Sequence, residues 1–188
     1  MATAPGSGAR EGAARRRAAR PEPPGVSGAG RMAAAALAIV VADRASKLWV
    51  VEGLDLARVG RIEVVEGFFS LRMAWNRGVN FGLFADDAEE LRWALIALAA
   101  AISVAVGVWA MRRGDRLSQF GAGVLIGGAL GNAWDRATYG AVADFLNVTC
   151  CGLVNPYAFN VADVAIFAGA AALALAPSGG GRAGDAAG

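Results

Sequence analysis

Four apolar runs, each near the ~20 residues a helix needs to cross a bilayer, dictate what this chain can fold into. They cover Met32–Val51, Leu91–Met111, Leu117–Trp134 and Phe159–Ala176. A soluble bundle would need a polar face on every run, and the second and fourth have almost none. The expected fold is an all-α membrane protein with four transmembrane helices. The third run is Gly-rich (Gly121, Gly123, Gly127, Gly128, Gly131), and small residues at helical spacing let helices approach closely in lipid. The first run follows a basic stretch, as a signal peptide would. It is long for one, however, and Asp43, Arg44 and Lys47 interrupt it where cleavage would fall, so it is expected to be retained.

Residues 1–30 are rich in Ala, Gly, Pro and Arg and carry almost no apolar pattern. They are expected to be a disordered basic tail, with 31–177 the four-helix domain and 178–188 a second disordered tail. Basic residues orient the spans. Arg15, Arg16, Arg17, Arg20 and Arg31 precede the first, and Arg112, Arg113 and Arg116 lie between the second and third. The first link is mostly acidic, and the third has no Lys or Arg after Arg136. Both tails and the second link are therefore expected in the cytoplasm. Arg61–Trp75, in the first outer link, reads RIEVVEGFFSLRMAW, two short β-prone runs around a Gly. A small β-containing extracytoplasmic segment is expected there, between the first and second spans. Gly78 and Gly82 then bracket a turn.

Composition narrows the chemistry. The chain has no His, which removes Ser-His triads, Cys-His dyads and the HExxH zinc helix together. The formal charge of +2 is too small for a nucleic-acid binder. Cys150 and Cys151 are adjacent, a poor arrangement for a disulfide or a metal site, and are expected only to pack a loop or an interface. No metal and no cofactor is expected.

What remains is carboxylate chemistry. Asp144 lies in AVADFLNV, between the third and fourth runs, and Asp163 in FNVADVAIF, at the start of the fourth. A carboxylate at the edge of hydrocarbon is costly and usually faces a protein cavity. Two of them in one low-dielectric site would share a proton, the arrangement of an aspartic protease, and would titrate as a unit. The plainer alternative, that each caps a helix or turn, stays open on pattern alone. Asp43 and Lys47 share a helix face and suit a structural ion pair, with a site-lining role as the alternative. The segment Asn76-Arg77-Gly78-Val79-Asn80-Phe81-Gly82 offers amides and glycines to an extended peptide, although such residues also mark ordinary turns. Asn132, Asp135 and Arg136 form a polar string at a membrane boundary. It is denser than helix capping, with Trp134 and Tyr139 as interface anchors, requires.

The blocks DRASK, NRGVNFG, GGALGNAWDR, VADF and FNVADVAI, in this order over Asp43–Ile166, resemble lipoprotein signal peptidase, the signal peptidase II family of bacterial aspartic membrane peptidases. The resemblance implies cleavage of diacylglyceryl-modified prolipoproteins just before the lipid-bearing Cys, at the outer face of the inner membrane. The expected partners are such precursors and membrane lipids, with no nucleic acid, and the expected state is a monomer. The catalytic pair would be Asp144 and Asp163. Asp43, Lys47, Asn76, Gly78, Phe81, Gly82, Gly128, Asn132, Asp135, Arg136, Asn160 and Ala162 match the family's other characteristic positions and would line or brace the site. Val79-Asn80 departs from the small pair many members carry. A competing class, an ion-coupled transporter or channel subunit, would spread carboxylates through the membrane depth and show internal repeats. Neither is seen in the sequence.

Overall fold

The computed structural model describes residues 27–78, 88–150 and 155–176. The expectations for Phe81, Gly82, Val79-Asn80, Cys151 and most of both tails lie outside the described residues.

Helix α1 (Gly28–Lys47) starts where the Ser27 side chain accepts the Gly30 N–H, so residues 28–30, expected in the tail, are helical. Its last turn carries Arg44 and Lys47, which complement the helix dipole. The chain continues as a π-helical turn, Leu48–Gly53, and a one-turn helix α2 (Leu56–Val59) entered through Asp55 at φ 52°. Strands β1 (Arg61–Val65) and β2 (Phe69–Asn76) form the expected hairpin. Helix α3 (Ala88–Arg113) then runs to α4 (Arg116–Tyr139). Asp115 caps α4 by accepting the Ser118 N–H at 2.8 Å, and Gly140 ends it in the left-handed conformation at φ 74°.

The link after α4 is not the plain connection the sequence suggests. Val142–Val148 is a third strand, β3, antiparallel to β2, so the β structure draws on both outer links. The sheet order is β1-β2-β3, with Ala74 opposite Asp144 and Asn76 opposite Val142. Phe159 exchanges backbone hydrogen bonds with Leu146 before the chain enters α5 (Val161–Leu175). Asn147, buried, holds this return by donating to the Asn155 and Tyr157 carbonyls at 2.9 and 2.7 Å. Phe145 points away from Asp144 into a small core with Val50, Leu56 and Leu71.

Helix α4 packs against α1, α3 and α5. Its glycines explain the closeness: a Cβ at Gly127 would lie 2.6 Å from the Ala36 carbonyl oxygen of α1, and one at Gly121 2.9 Å from Ala172 Cβ of α5. The outward faces stay apolar, with Leu37, Ile102, Val104, Phe120, Phe167 and Leu175 exposed. Among the described residues one helix, Glu89–Arg113, is long and apolar enough to cross a membrane by length and composition, and Val161–Leu175 is apolar but shorter. Helix α1 carries Asp43, Arg44 and Lys47 at its end, and α4 mixes glycine with polar residues.

Candidate active site

The sheet end of the bundle gathers most of the expected residues. Asp144, on β3, is 3% exposed. Its Oδ2 accepts from Asn76 Nδ2 at 3.1 Å and its Oδ1 from Asn160 Nδ2 at 2.6 Å. Asn76 is itself fixed by a short turn: its Oδ1 accepts the N–H of Gly78, which sits at φ 100°, where a side chain would be strained. Asn160 caps α5, with Asp163 completing the box. The Asp163 N–H donates to Asn160 Oδ1 at 2.9 Å, and the Asn160 N–H returns to Asp163 Oδ2 at 3.2 Å. The other oxygen of Asp163 accepts from Asn132 Nδ2 at 2.8 Å, and Asn132 Oδ1 accepts from Asn160 Nδ2 at 3.1 Å. Two amides, Asn132 and Asn160, thus join the two carboxylates. Asp163 both caps its helix and accepts from Asn132, so the capping reading describes its geometry without excluding a place beside Asp144.

Burial pushes the Asp144 carboxyl up to about 6, helped by the nearby Asp163 charge and opposed by the Asn76 and Asn160 donors and the Lys47 charge. Amides can orient a carboxylate, yet they bring no counter-charge, so the proton is retained to higher pH.

A second pair of carboxylates lies directly behind. Asp43 and Asp135 are both fully buried, and Lys47 Nζ sits between them, 2.8 Å from Asp43 Oδ2 and 2.6 Å from Asp135 Oδ2. Arg44, which sequence reasoning did not single out, bonds Asp135 Oδ1 and lies 3.6 Å from Asp43. Asp43 Oδ1 accepts the Ala162 N–H at 3.1 Å, and Asp135 Oδ2 accepts the Ala143 N–H at 3.2 Å. Gly128 lets α5 come this close: a Cβ there would collide with the Ala162 carbonyl and lie 2.9 Å from Ile166 Cγ1.

Arg136 is half-buried and donates to the Asn132 carbonyl at 3.4 Å; among the described residues it forms no ion pair within 4 Å. It lines, with Asn132, a cavity of about 320 Å³ whose remaining wall is apolar and comes from α3, α4 and α5. The site therefore joins a carboxylate pair, a guanidinium without an ion pair among the described residues, and an apolar groove that runs along the bundle.

The family described as Signal peptidase (SPase) II matches residues 35–177. A lipoprotein signal peptidase of Rhodopseudomonas palustris is 42% identical over 142 residues, 74% of this chain and 86% of that protein. One of Methylorubrum extorquens is 44% identical over 141 residues, 75% of this chain and 81% of that protein. Among solved structures, a bacterial membrane enzyme determined by the in meso method at 1.9 Å matches with a TM-score of 0.65. It is 23% identical, over 78% of this chain and 92% of that one, and shows that the fold is shared. By the match over its helical domain and the curated relatives that share it, the chain belongs to the signal peptidase II family.

Proposed function

We propose that this chain is the aspartic endopeptidase of a bacterial inner membrane that removes signal peptides from diacylglyceryl-modified prolipoproteins, cutting before the lipidated Cys. The observation that carries the mechanism is the convergence of Asp144 and Asp163 on one amide network beside a partly apolar groove. Asp144, the more buried, holds the proton; Asp163, the more accessible, is the base. Asp163 takes a proton from water as the water oxygen adds to the scissile carbonyl carbon, and Asp144 gives its proton to the carbonyl oxygen. Collapse of the tetrahedral intermediate breaks the C–N bond. The leaving nitrogen takes the proton held by Asp163, and Asp144 recovers its own. Arg136 and Asn76 are positioned to hold the substrate backbone, and the groove of α3, α4 and α5 takes apolar substrate.

In this reading α1, α3, α4 and α5 are four spans. Their exposed apolar faces support it, as do the aromatic residues Trp49, Trp75, Trp93 and Tyr139 at the sheet end. Arg31, Arg112, Arg113 and Arg116 lie at the opposite end, which we place in the cytoplasm with both termini. The site then opens on the outer face, the protein works as a monomer among membrane lipids, and the tails take no part in the chemistry. Residues 31–177 suffice as the peptidase domain. A transporter reading gains no support, because the buried carboxylates of the bundle cluster at one end.

The test is cleavage of a lipid-modified precursor by the purified protein in detergent. The proposal expects cleavage before the modified Cys that chelators and serine or thiol reagents leave unchanged. Loss of activity with chelator would sink the mechanism.

A further inference from the structure

The tetrad of Asp43, Arg44, Lys47 and Asp135 has a geometry that charge neutralisation alone does not require. Each of its carboxylates accepts one backbone N–H from outside α1 and α4, and the two donors are Ala162 and Ala143. These residues immediately precede Asp163 and Asp144. A single ammonium lies between the two carboxylates. We infer that Lys47 is a positioning residue that sets the spacing of the proposed catalytic pair, by drawing together the two carboxylates that each hold the backbone just ahead of one catalytic aspartate. The inference rests on the aspartic reading given above.

Arg44 cannot replace it. Its Nη2 bonds Asp135 Oδ1 but stays 3.6 Å from Asp43 Oδ2, beyond hydrogen-bond distance, whereas Lys47 Nζ is within that distance of both acids. An ammonium can turn its donors toward both acids, whereas a guanidinium holds its donors in one plane. The chain of contacts is short and buried: Lys47 is 4% exposed, and Asp43, Asp135 and Ala162 are fully enclosed. Displacement by an ångström at reacting atoms costs about 10²-fold in rate, which sets the expected effect.

Lys47 also acts on Asp144 through its charge. The groups facing Asp144 are Asp163 from α5, Arg136 from α4, Lys47 from α1, and the amides of Asn76 and Asn160. Removing the ammonium removes a charge that favours the Asp144 carboxylate. The proton is then held to higher pH, and the alkaline limb of the activity profile moves up.

A cavity separate from the substrate groove gives access to the tetrad. It holds about 240 Å³ and is lined by Arg44, Lys47, Leu48, Asp135, Trp75 and Tyr139. This makes chemical rescue possible. In purified Lys47→Ala, kcat on a lipidated precursor should fall roughly 10²-fold with KM little changed. Added n-propylammonium, which replaces the missing stem and charge, should restore kcat saturably and return the alkaline limb to its original pH. Equal concentrations of n-propanol or tetramethylammonium should not. If Lys47→Ala does not fold, Lys47→Arg serves: it keeps the charge and should lose kcat without moving the pH limb, because the spacing changes. Asp144→Asn and Asp163→Asn are measured in parallel. Near-normal cleavage by those two would defeat the aspartic reading itself. Inactive aspartate variants beside a Lys47→Ala or Lys47→Arg with full kcat and an unmoved profile would overturn only the role of Lys47.

Discussion

Two pairs of aspartates, all buried but the half-buried Asp163, lie close together and are held in opposite ways. Asp43 and Asp135 are bound to Lys47 and Arg44, so two negative charges meet two positive ones. Asp144 and Asp163 are bound to Asn76, Asn132 and Asn160, which orient without neutralising. The first arrangement ties α1, α4, β3 and α5 into one junction through ion pairs and backbone hydrogen bonds. The second leaves a proton to be shared. In the proposed mechanism one residue type serves as scaffold in one pair and as reagent in the other, with the partners deciding which.

The largest contrast is in stability. Asp43→Asn or Asp135→Asn breaks a buried charge cluster and should cost about 3–5 kcal/mol, with turnover falling along with the fold. Asp144→Asn removes a buried acid that has no direct ion-pair partner among the described residues, and its thermal unfolding should change by far less. Detergent-solubilised unfolding curves check this, and equal losses at the two sites would erase the distinction between the pairs.

The pH profile sharpens it. Burial pushes the Asp144 carboxyl up to about 6. With Asp144 as the proposed acid, turnover should decline as pH rises through this value. A profile flat from pH 5 to roughly 9 would remove the acid role from Asp144. Asn160→Ala comes next in size. It deletes the α5 cap, worth about 1 kcal/mol, and a donor to Asp144, so the alkaline limb should also move upward. A loss of stability with the limb unmoved would make Asn160 a cap only. The smallest effect belongs to the tail: removal of residues 1–26 should leave cleavage by purified protein unchanged, and loss of most activity in a folded product would show that this segment takes part.

Much of this arrangement was legible in the sequence. The apolar runs marked the four long helices, RIEVVEGFFSLRMAW the hairpin, and the polar string after Gly131 the end of α4. The paired aspartates stood out because carboxylates are costly beside hydrocarbon. The third strand was not legible: VADFLNV is short and carries two polar residues, and it becomes a strand only because β2 offers it an edge. Arg44 was hidden for a similar reason. Its partner Asp135 is 91 residues away, and no local spacing reports that contact. The links from Asp43 to Ala162 and from Asp135 to Ala143 use backbone N–H groups, which every non-proline residue has, so side-chain pattern says nothing about them.

The most direct test of the central claim, that Asp144 and Asp163 act as one acid–base unit, is a double-mutant cycle on purified protein with a lipidated precursor. Each single Asp→Asn change should reduce turnover by roughly 10²–10⁴-fold or more while precursor binding largely survives. The double variant should be little worse than either single one, because groups acting as a unit are non-additive. Near-normal cleavage by either single variant, or losses that multiply in the double, would contradict the account.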